Sequence, residues 1–186
     1  HWYSESGNLG NQAFALYVRA VLGDKDAPGA TTLLANPKLP IYGKAYALRA
    51  LATSLSPKDP AVTKLIGELS TLAAAAAKSD ALIEEPDEKN MGWYMSSPLR
   101  TTAMVLHALV ELDGKNPSIP GLVRAIMKDR RKRTYIDTQS NLYSLLALSA
   151  YAKANNAKTP SINVALDGQQ IISGALSGKQ RMRVAT

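Results

Sequence analysis

The residues that could carry chemistry are few in this chain, and none of them stands in a recognised catalytic or metal-binding pattern. Two histidines and no cysteine occur among the 186 residues, which excludes disulfides, a thiol nucleophile and Cys-ligated zinc within this sequence. The serines lack the G-x-S-x-G context of a nucleophile elbow, and no Ser-His-Asp set suggests itself. We therefore expect no catalytic residues, no cofactor and no metal site.

The best candidates for a site are one histidine and one acidic group. His107 falls within an apolar helical stretch, where a core or edge histidine is favoured over a ligand or base, since no partner stands nearby in the sequence. The acidic group is Glu84, Glu85, Asp87 and Glu88. It lacks the D-x-[DN]-x-[DN]-G order of a calcium loop, so we favour a solvated loop over a calcium or paired-carboxylate site.

The strongest charge cluster is the basic run from Lys128 to Arg133, in a chain of formal net charge +7. Cations at the C-terminal end of a helix interact favourably with its dipole, and this structural role is the favoured interpretation. Contact with nucleic acid, lipopolysaccharide or an acidic partner is the alternative. Because no aromatic residues interleave with the basic ones, we expect no nucleic-acid binding. No run of eighteen apolar residues occurs, so we expect no direct membrane insertion.

Apolar periodicity predicts a series of helices that would position these residues. They cover 9–22, 30–35, 43–55, 61–78, 98–112, 119–131 and 139–154. Ser97 followed by Pro98 predicts an N-cap and a first-turn proline at one helix start. The apolar residues of 139–154 occupy more than one stripe, so we expect that helix to be buried on most sides, with Leu145 and Leu148 facing packed neighbours.

Four of these helices share an apolar-x-Ala-apolar core and alternate with helices that carry a single apolar stripe. The cores are V-R-A-V at 18–21, L-R-A-L at 48–51, L-H-A-L at 106–109 and L-L-A-L at 145–148. A buried helix alternating with an amphipathic one is typical of stacked helical hairpins. Because the periods are unequal, we predict an all-α fold of the α/α toroid type with an incomplete ring, and not a regular tetratricopeptide or ankyrin array.

The end of the chain changes character. Residues 161–166 alternate between apolar and polar, and Asp167-Gly168 predicts a hairpin-type turn. The expected organisation is therefore 1–158 as part of a toroid and 159–186 as the start of a following β domain.

Three stretches, in this order, resemble the thioester-type domain of alpha-2-macroglobulins, especially the bacterial ones. They are W-Y-M-S-S-P-L-R-T-T-A at 93–103, L-V-R-A-I-M-K-D-R at 122–130 and T-Y-I-D-T-Q-S-N-L-Y-S-L-L-A-L at 134–148. Tyr135 stands where the family usually has Trp, and Asp137 where it usually has Ser. The resemblance covers most of the chain.

The resemblance implies a non-catalytic fragment, the C-terminal part of the complement-like α/α toroid domain of a bacterial alpha-2-macroglobulin. The parent protein would be a broad-spectrum endopeptidase inhibitor that traps proteases in the periplasm or at the cell surface, with a lipoprotein of the cell envelope as one form. The implied partners are the trapped proteases and the flanking β domains of the same chain. The family's reactive Cys-x-x-Gln thioester is carried over to no residue, because the chain has no cysteine.

Structural roles are also expected for four side chains near the helix starts. Trp93, Tyr94 and Tyr135 are expected to anchor helix starts, and Gln139 to cap or bridge helical hairpins. The chain opens on His1 without a methionine or a signal-like segment, which indicates a piece of a longer protein. The alternative function is a helical-repeat interaction module unrelated to protease trapping. An isoprenoid-type toroid enzyme ranks last, because its zinc ligands and Asp-rich acid motif are absent from the sequence.

Overall fold

The computed structural model describes residues 5–86, 97–132, 137–155, 161–166 and 169–175. The elements in these ranges are α1 (Glu5–Val21), α2 (Ala27–Leu34), α3 (Ile41–Ser54), α4 (Pro60–Ala77), α5 (Pro98–Leu112), α6 (Ile119–Lys132), α7 (Thr138–Asn155), β1 (Ser161–Leu166) and β2 (Gln169–Ala175). The chain divides into two compact units, His1–Tyr151 and Ala152–Thr186. In the described part of the first unit all secondary structure is helical, which confirms the predicted all-α class for that unit.

Three of the helices begin at a side-chain cap followed by proline. Asp26 Oδ1 accepts the N–H of Gly29 at 2.8 Å before α2, and Asp59 Oδ1 accepts the N–H of Ala61 at 2.8 Å before α4. Ser97 Oγ accepts the N–H of Arg100 at 3.3 Å before α5, so the predicted start of this helix is confirmed. Each cap satisfies a backbone donor that the first helical turn leaves unpaired.

The helices of the first unit alternate between two layers. Each helix from α1 to α6 contacts the next one, α3 also contacts both α1 and α5, and α4 also contacts α6. The series α1, α3 and α5 therefore forms one layer, against which α2, α4 and α6 pack. Gly121 in α6 lies so close to Ala77 in α4 that a side chain at this position would collide with it, so a close helix crossing depends on this glycine.

The core is centred on α3 and α5. Its largest fully buried side chains include Leu48, Leu51, Leu99, Leu106 and Leu109 from these two helices. The second layer contributes Val62, Leu69, Leu122 and Ile126. Burial of apolar surface on both sides of α3 and α5 is the main contribution to the stability of this arrangement.

The prediction that the helix at 139–154 is buried on most sides is wrong. In α7 the buried residues are Ser140, Ser144 and Ala147. Leu145 is 59% exposed and Leu148 is half-buried. Ser140 and Tyr143 of α7 contact Ser97 and Tyr46, so this strip of the helix faces the rest of the unit, and Leu145 lies away from it.

Two helices of the first unit carry exposed apolar faces, which we call the open faces. The open face of α1 consists of Phe14, Val18 and Val21, and that of α7 of Leu142, Leu145 and Leu146. The spacings place each set on one side of its helix. Within the described ranges, no helix combines the length and the hydropathy that crossing a bilayer requires.

In the second unit, β1 and β2 pair antiparallel. Leu166 lies opposite Gln169, and the register is irregular after Val164. The predicted turn at 167–168 lies outside the described residues. That residues 159–186 open a following β domain stays a prediction.

Candidate functional site

Two adjacent cavities lie between α1, α3, α5 and α7, and we call them together the aromatic groove. Both are lined by Phe14, Tyr46, Met104 and Tyr143. The larger cavity, of about 350 Å³, is also lined by Tyr17, Ala45, Arg49, His107, Leu142 and Leu146. The smaller one, of about 190 Å³, is also lined by Gly10, Asn11, Tyr42, Arg100 and Gln139. Small-molecule sites in proteins commonly measure about 300–1,000 Å³, so the larger cavity reaches that range.

The centre of the groove is a cluster of aromatic rings around Tyr46. The ring centroid of Phe14 lies 5.1 Å away with a tilt of 58°, that of Tyr17 at 5.5 Å and 28°, and that of Tyr143 at 6.4 Å and 74°. The Tyr46 hydroxyl donates to the Tyr143 hydroxyl at 2.6 Å. Burial and this hydrogen bond raise the pKa of Tyr46, so its hydroxyl stays neutral at physiological pH.

A charged cluster lies at one end of the larger cavity. Arg49 donates from Nε and Nη2 to the two carboxylate oxygens of Glu111, at 2.8 and 2.9 Å, and its guanidinium lies 4.3 Å from the ring centroid of Tyr17. His107 Nε2 lies 3.1 Å from Glu111 Oε1. Burial alone would raise the pKa of Glu111, but hydrogen bonds from His107 and Arg49 and their charges lower it to about 2.

His107 is therefore partly buried, as the sequence indicates, but the expectation that it has no partner nearby is wrong. Glu111 stands four residues further along α5, on the same helix face, and the sequence contains this signal. Among the described residues, no three His, Cys, Asp or Glu side chains come together in a way that could hold a metal ion.

The smaller cavity is built around Arg100. This side chain is buried, donates from Nη1 to Gln139 Oε1 at 2.7 Å, and lies with its guanidinium 4.8 Å from the ring centroid of Tyr42. One turn away, the hydroxyls of Ser97 and Ser140 lie 2.6 Å apart. Gln139 thus bridges α5 and α7, as expected for it.

Glu85 holds the start of α3, a role that the sequence pattern does not predict. Its carboxylate accepts the N–H groups of Ile41 and Tyr42 at 2.7 and 3.0 Å, and the hydroxyl of Thr101 at 2.9 Å. The N-cap residue of α3 is Pro40, whose side chain makes no cap hydrogen bond. A distant carboxylate therefore satisfies the first donors of the helix and interacts favourably with its dipole.

The solvated-loop interpretation of the acidic group is thus wrong for Glu85, which is buried, while Glu84 is exposed. The burial of Glu85 could have been predicted from its spacing to Ile83. In an extended chain, side chains two residues apart point to the same side, and Ile83 is buried. Lys128 is exposed in the basic run. The other candidates lie outside the described residues: Asp87, Glu88, Trp93, Tyr94, Arg133 and Tyr135.

No family model matches this chain, and no curated protein and no solved structure match it either. The resemblance to alpha-2-macroglobulins therefore stays a prediction based on the three sequence stretches. The aromatic groove is defined by geometry alone, as a largely apolar recess whose charged side chains already have partners within the chain.

Proposed function

We propose that this chain is a non-catalytic scaffold of a bacterial alpha-2-macroglobulin-type protease trap and forms part of its thioester-type α/α toroid domain. The observation that carries the proposal is the alternation of two helix layers, α1, α3 and α5 against α2, α4 and α6. An α/α toroid is an inner and an outer ring of helices that alternate along the chain. The order of the three family-like stretches supports the same assignment.

The open faces support an incomplete ring. Soluble proteins seldom leave contiguous apolar patches exposed unless something covers them. The two faces belong to the first and the last helix of the first unit, which are the two ends of the helix series. In the proposed toroid, further helices of the parent protein pack against Val18, Val21 and Leu145, the residues of these faces that do not line the aromatic groove, and close the ring.

The charged side chains of the groove support the scaffold role. The charged side chains that line the aromatic groove are engaged with other side chains, Arg49 with Glu111 and Arg100 with Gln139. Such pairs hold helices in register and leave the chemistry of trapping to other parts of the parent protein. The proposed partners are the trapped proteases and the flanking β domains, and the proposed location is the periplasm or the cell surface.

One alternative has an observation of its own. The open faces of α1 and α7 equally suit a helical-repeat interaction module that binds an unrelated apolar partner. The isoprenoid-type toroid enzyme is favoured only by the apolar character of the groove, and ranks below both.

The test uses the complete product of the gene that encodes this chain. It is incubated with several proteases of different mechanism, and cleavage of a large protein substrate is compared with cleavage of a short peptide by the same samples. A trap excludes large substrates by size, so we expect protein cleavage to fall and peptide cleavage to persist. Deleting the segment 1–158 should abolish the protection.

Two results would contradict the proposal. One is equal cleavage of the protein substrate with and without the gene product. The other is a gene product that has no β modules beside the helical unit, which would favour the interaction module. The isolated chain is the matched control, and we expect it to leave both cleavage rates unchanged.

A further inference from the structure

We propose that the aromatic groove binds a small, uncharged aromatic molecule of one or two rings. This goes beyond the proposed function, which assigns no ligand to the groove. The groove combines a recess of ligand size with walls from four different helices, which is a common setting for small-molecule sites in helical proteins.

The side chains that line the groove favour an aromatic ligand. The rings around Tyr46 pack on it at interplanar angles between 28° and 74°, so stacked and edge-on arrangements both occur in this wall. Aromatic rings prefer offset-stacked and edge-to-face contacts, and an added ring would find both kinds here. Met104 lines both cavities, and its thioether makes favourable contacts with ring edges. A saturated ring system of the same shape would lack these contacts.

The charges select against an ionised ligand. Arg49 is held in a two-point contact by Glu111, and Arg100 is held by Gln139 and by the ring of Tyr42. An anionic ligand would have to compete with these partners and lose its own hydration. A cationic ligand would find, among the described residues that line the groove, no acidic side chain to pair with.

The mouth of the larger cavity offers a way in. Phe14, Leu142 and Leu146 line this cavity and are exposed, so it opens to solvent on their side. Ala45 and Tyr46, which also line the cavity, are buried. A ligand can therefore reach Tyr46 and Met104 without displacing a helix.

The experiment titrates the intact chain with three probes and follows the methyl resonance of Met104, together with calorimetry. The probes are 2-naphthol, its saturated analogue decahydro-2-naphthol, and the anion 2-naphthoate. The chain has five methionines, and the spectrum of Met104→Leu identifies the resonance. We expect saturable binding of 2-naphthol, with the dissociation constants of the other two probes higher by about tenfold or more.

Two neighbouring leucines give a matched pair of variants. Leu146→Glu puts a charge into the lining of the groove, whereas Leu145→Glu puts it on an exposed position of the same helix that does not line the groove. We expect Leu146→Glu to weaken 2-naphthol binding by about tenfold and Leu145→Glu to leave it within about twofold. Helical circular dichroism of both variants checks that the fold is kept.

Several outcomes would overturn the proposal. They are absence of saturable binding, equal affinity for the aromatic and the saturated probe, tighter binding of the anion, and equal effects of the two glutamate variants. Sedimentation of the unliganded chain measures self-association and provides one further contradicting outcome. If Leu146→Glu abolishes self-association and 2-naphthol does not bind, a second copy of the chain occupies the groove instead.

Discussion

Helices α5 and α7 carry the same kind of apolar core, yet the structure buries them very differently. In α5, 11 of the 15 residues are buried, against three of the 18 in α7, namely Ser140, Ser144 and Ala147. Leu106 and Leu145 hold the same position in their L-x-A-L cores and are 0% and 59% exposed. The alanines of the two cores, Ala108 and Ala147, are both fully buried.

The difference comes from the neighbours. Helix α5 packs against α3, α4 and α6, so apolar residues on every side of it find contacts. Helix α7 is held to the rest of its unit along one strip, where Ser140 meets Ser97 and Tyr143 meets Tyr46. An apolar pattern therefore decides that a helix forms and packs, whereas the number of neighbours decides how many of its leucines are buried.

The largest expected effect is at the core of α5. Leu106→Ala removes a fully buried side chain and leaves a cavity, so we expect a loss of about 2–5 kcal/mol in the free energy of unfolding. Urea denaturation followed by helical circular dichroism measures it. A loss below about 1 kcal/mol, which is ordinary for a surface position, would break the contrast between the two helices.

The second effect concerns the start of α3, where the buried carboxylate of Glu85 accepts the first backbone N–H groups. The buried carboxylate of Glu85 accepts hydrogen bonds from Ile41, Tyr42 and Thr101, and Glu85→Gln removes its charge and one of its acceptor oxygens. Leaving a buried donor unsatisfied costs about 1–3 kcal/mol, and we expect a loss of stability in that range. Glu84→Gln, at the exposed neighbouring position, is the control and should change stability by at most about 0.5 kcal/mol. Equal losses would mean that the contact does not stabilise α3.

How far the sequence predicts this structure depends on whether the signal is local. Caps and periodicity are local, so the seven helices and the Ser97-Pro98 start could be predicted. The apolar pattern of α5 predicts its burial, and this prediction is correct because three other helices surround it. The exposure of Leu145 and the reach of Glu85 to Ile41 could not be predicted, since both depend on residues far away in the sequence.

The aromatic groove shows the same limit. Its central residues, Phe14, Tyr46, Met104 and Tyr143, come from four helices, and no motif links them in the sequence. The contact between His107 and Glu111 is the exception, because two residues four apart on a helix face the same way. Only this contact of the site could be predicted from the spacing of residues in the sequence.

A third, smaller effect lies between α3 and α5, where it depends on pH. Glu111 has a pKa of about 2 in the folded chain, below its ordinary 4.5, so its contacts with Arg49 and His107 stabilise the folded state fully above pH 4.5. This contribution is lost as the pH falls from 4.5 towards 2. We expect Glu111→Gln to cost at most about 1 kcal/mol at neutral pH, because the side chain is partly exposed, and the difference from the unsubstituted chain to shrink in that acidic window.

Denaturation at a series of pH values from neutral down to about pH 2 measures this difference. The matched control is Glu68→Gln, which removes a more exposed pair with Lys44 at 3.4 Å. A difference for Glu111→Gln that stays constant across the acidic window would show that Arg49 and His107 do not hold the ionised carboxylate.

The smallest expected effect is at the position of α7 that matches Leu106. The sequence predicts that Leu145→Ala is costly, but the structure leaves this side chain 59% exposed, so truncation opens no cavity. Alanine also has a slightly higher helix propensity than leucine, which offsets part of any lost contact. We expect a change of at most about 0.5 kcal/mol, similar to that of Lys128→Ala on the exposed side of α6. Urea denaturation of these two variants and of Leu106→Ala measures the three changes in the free energy of unfolding. A loss for Leu145→Ala that approaches the loss for Leu106→Ala would mean that α7 is packed on both sides in solution, and the contrast between the two helices would disappear.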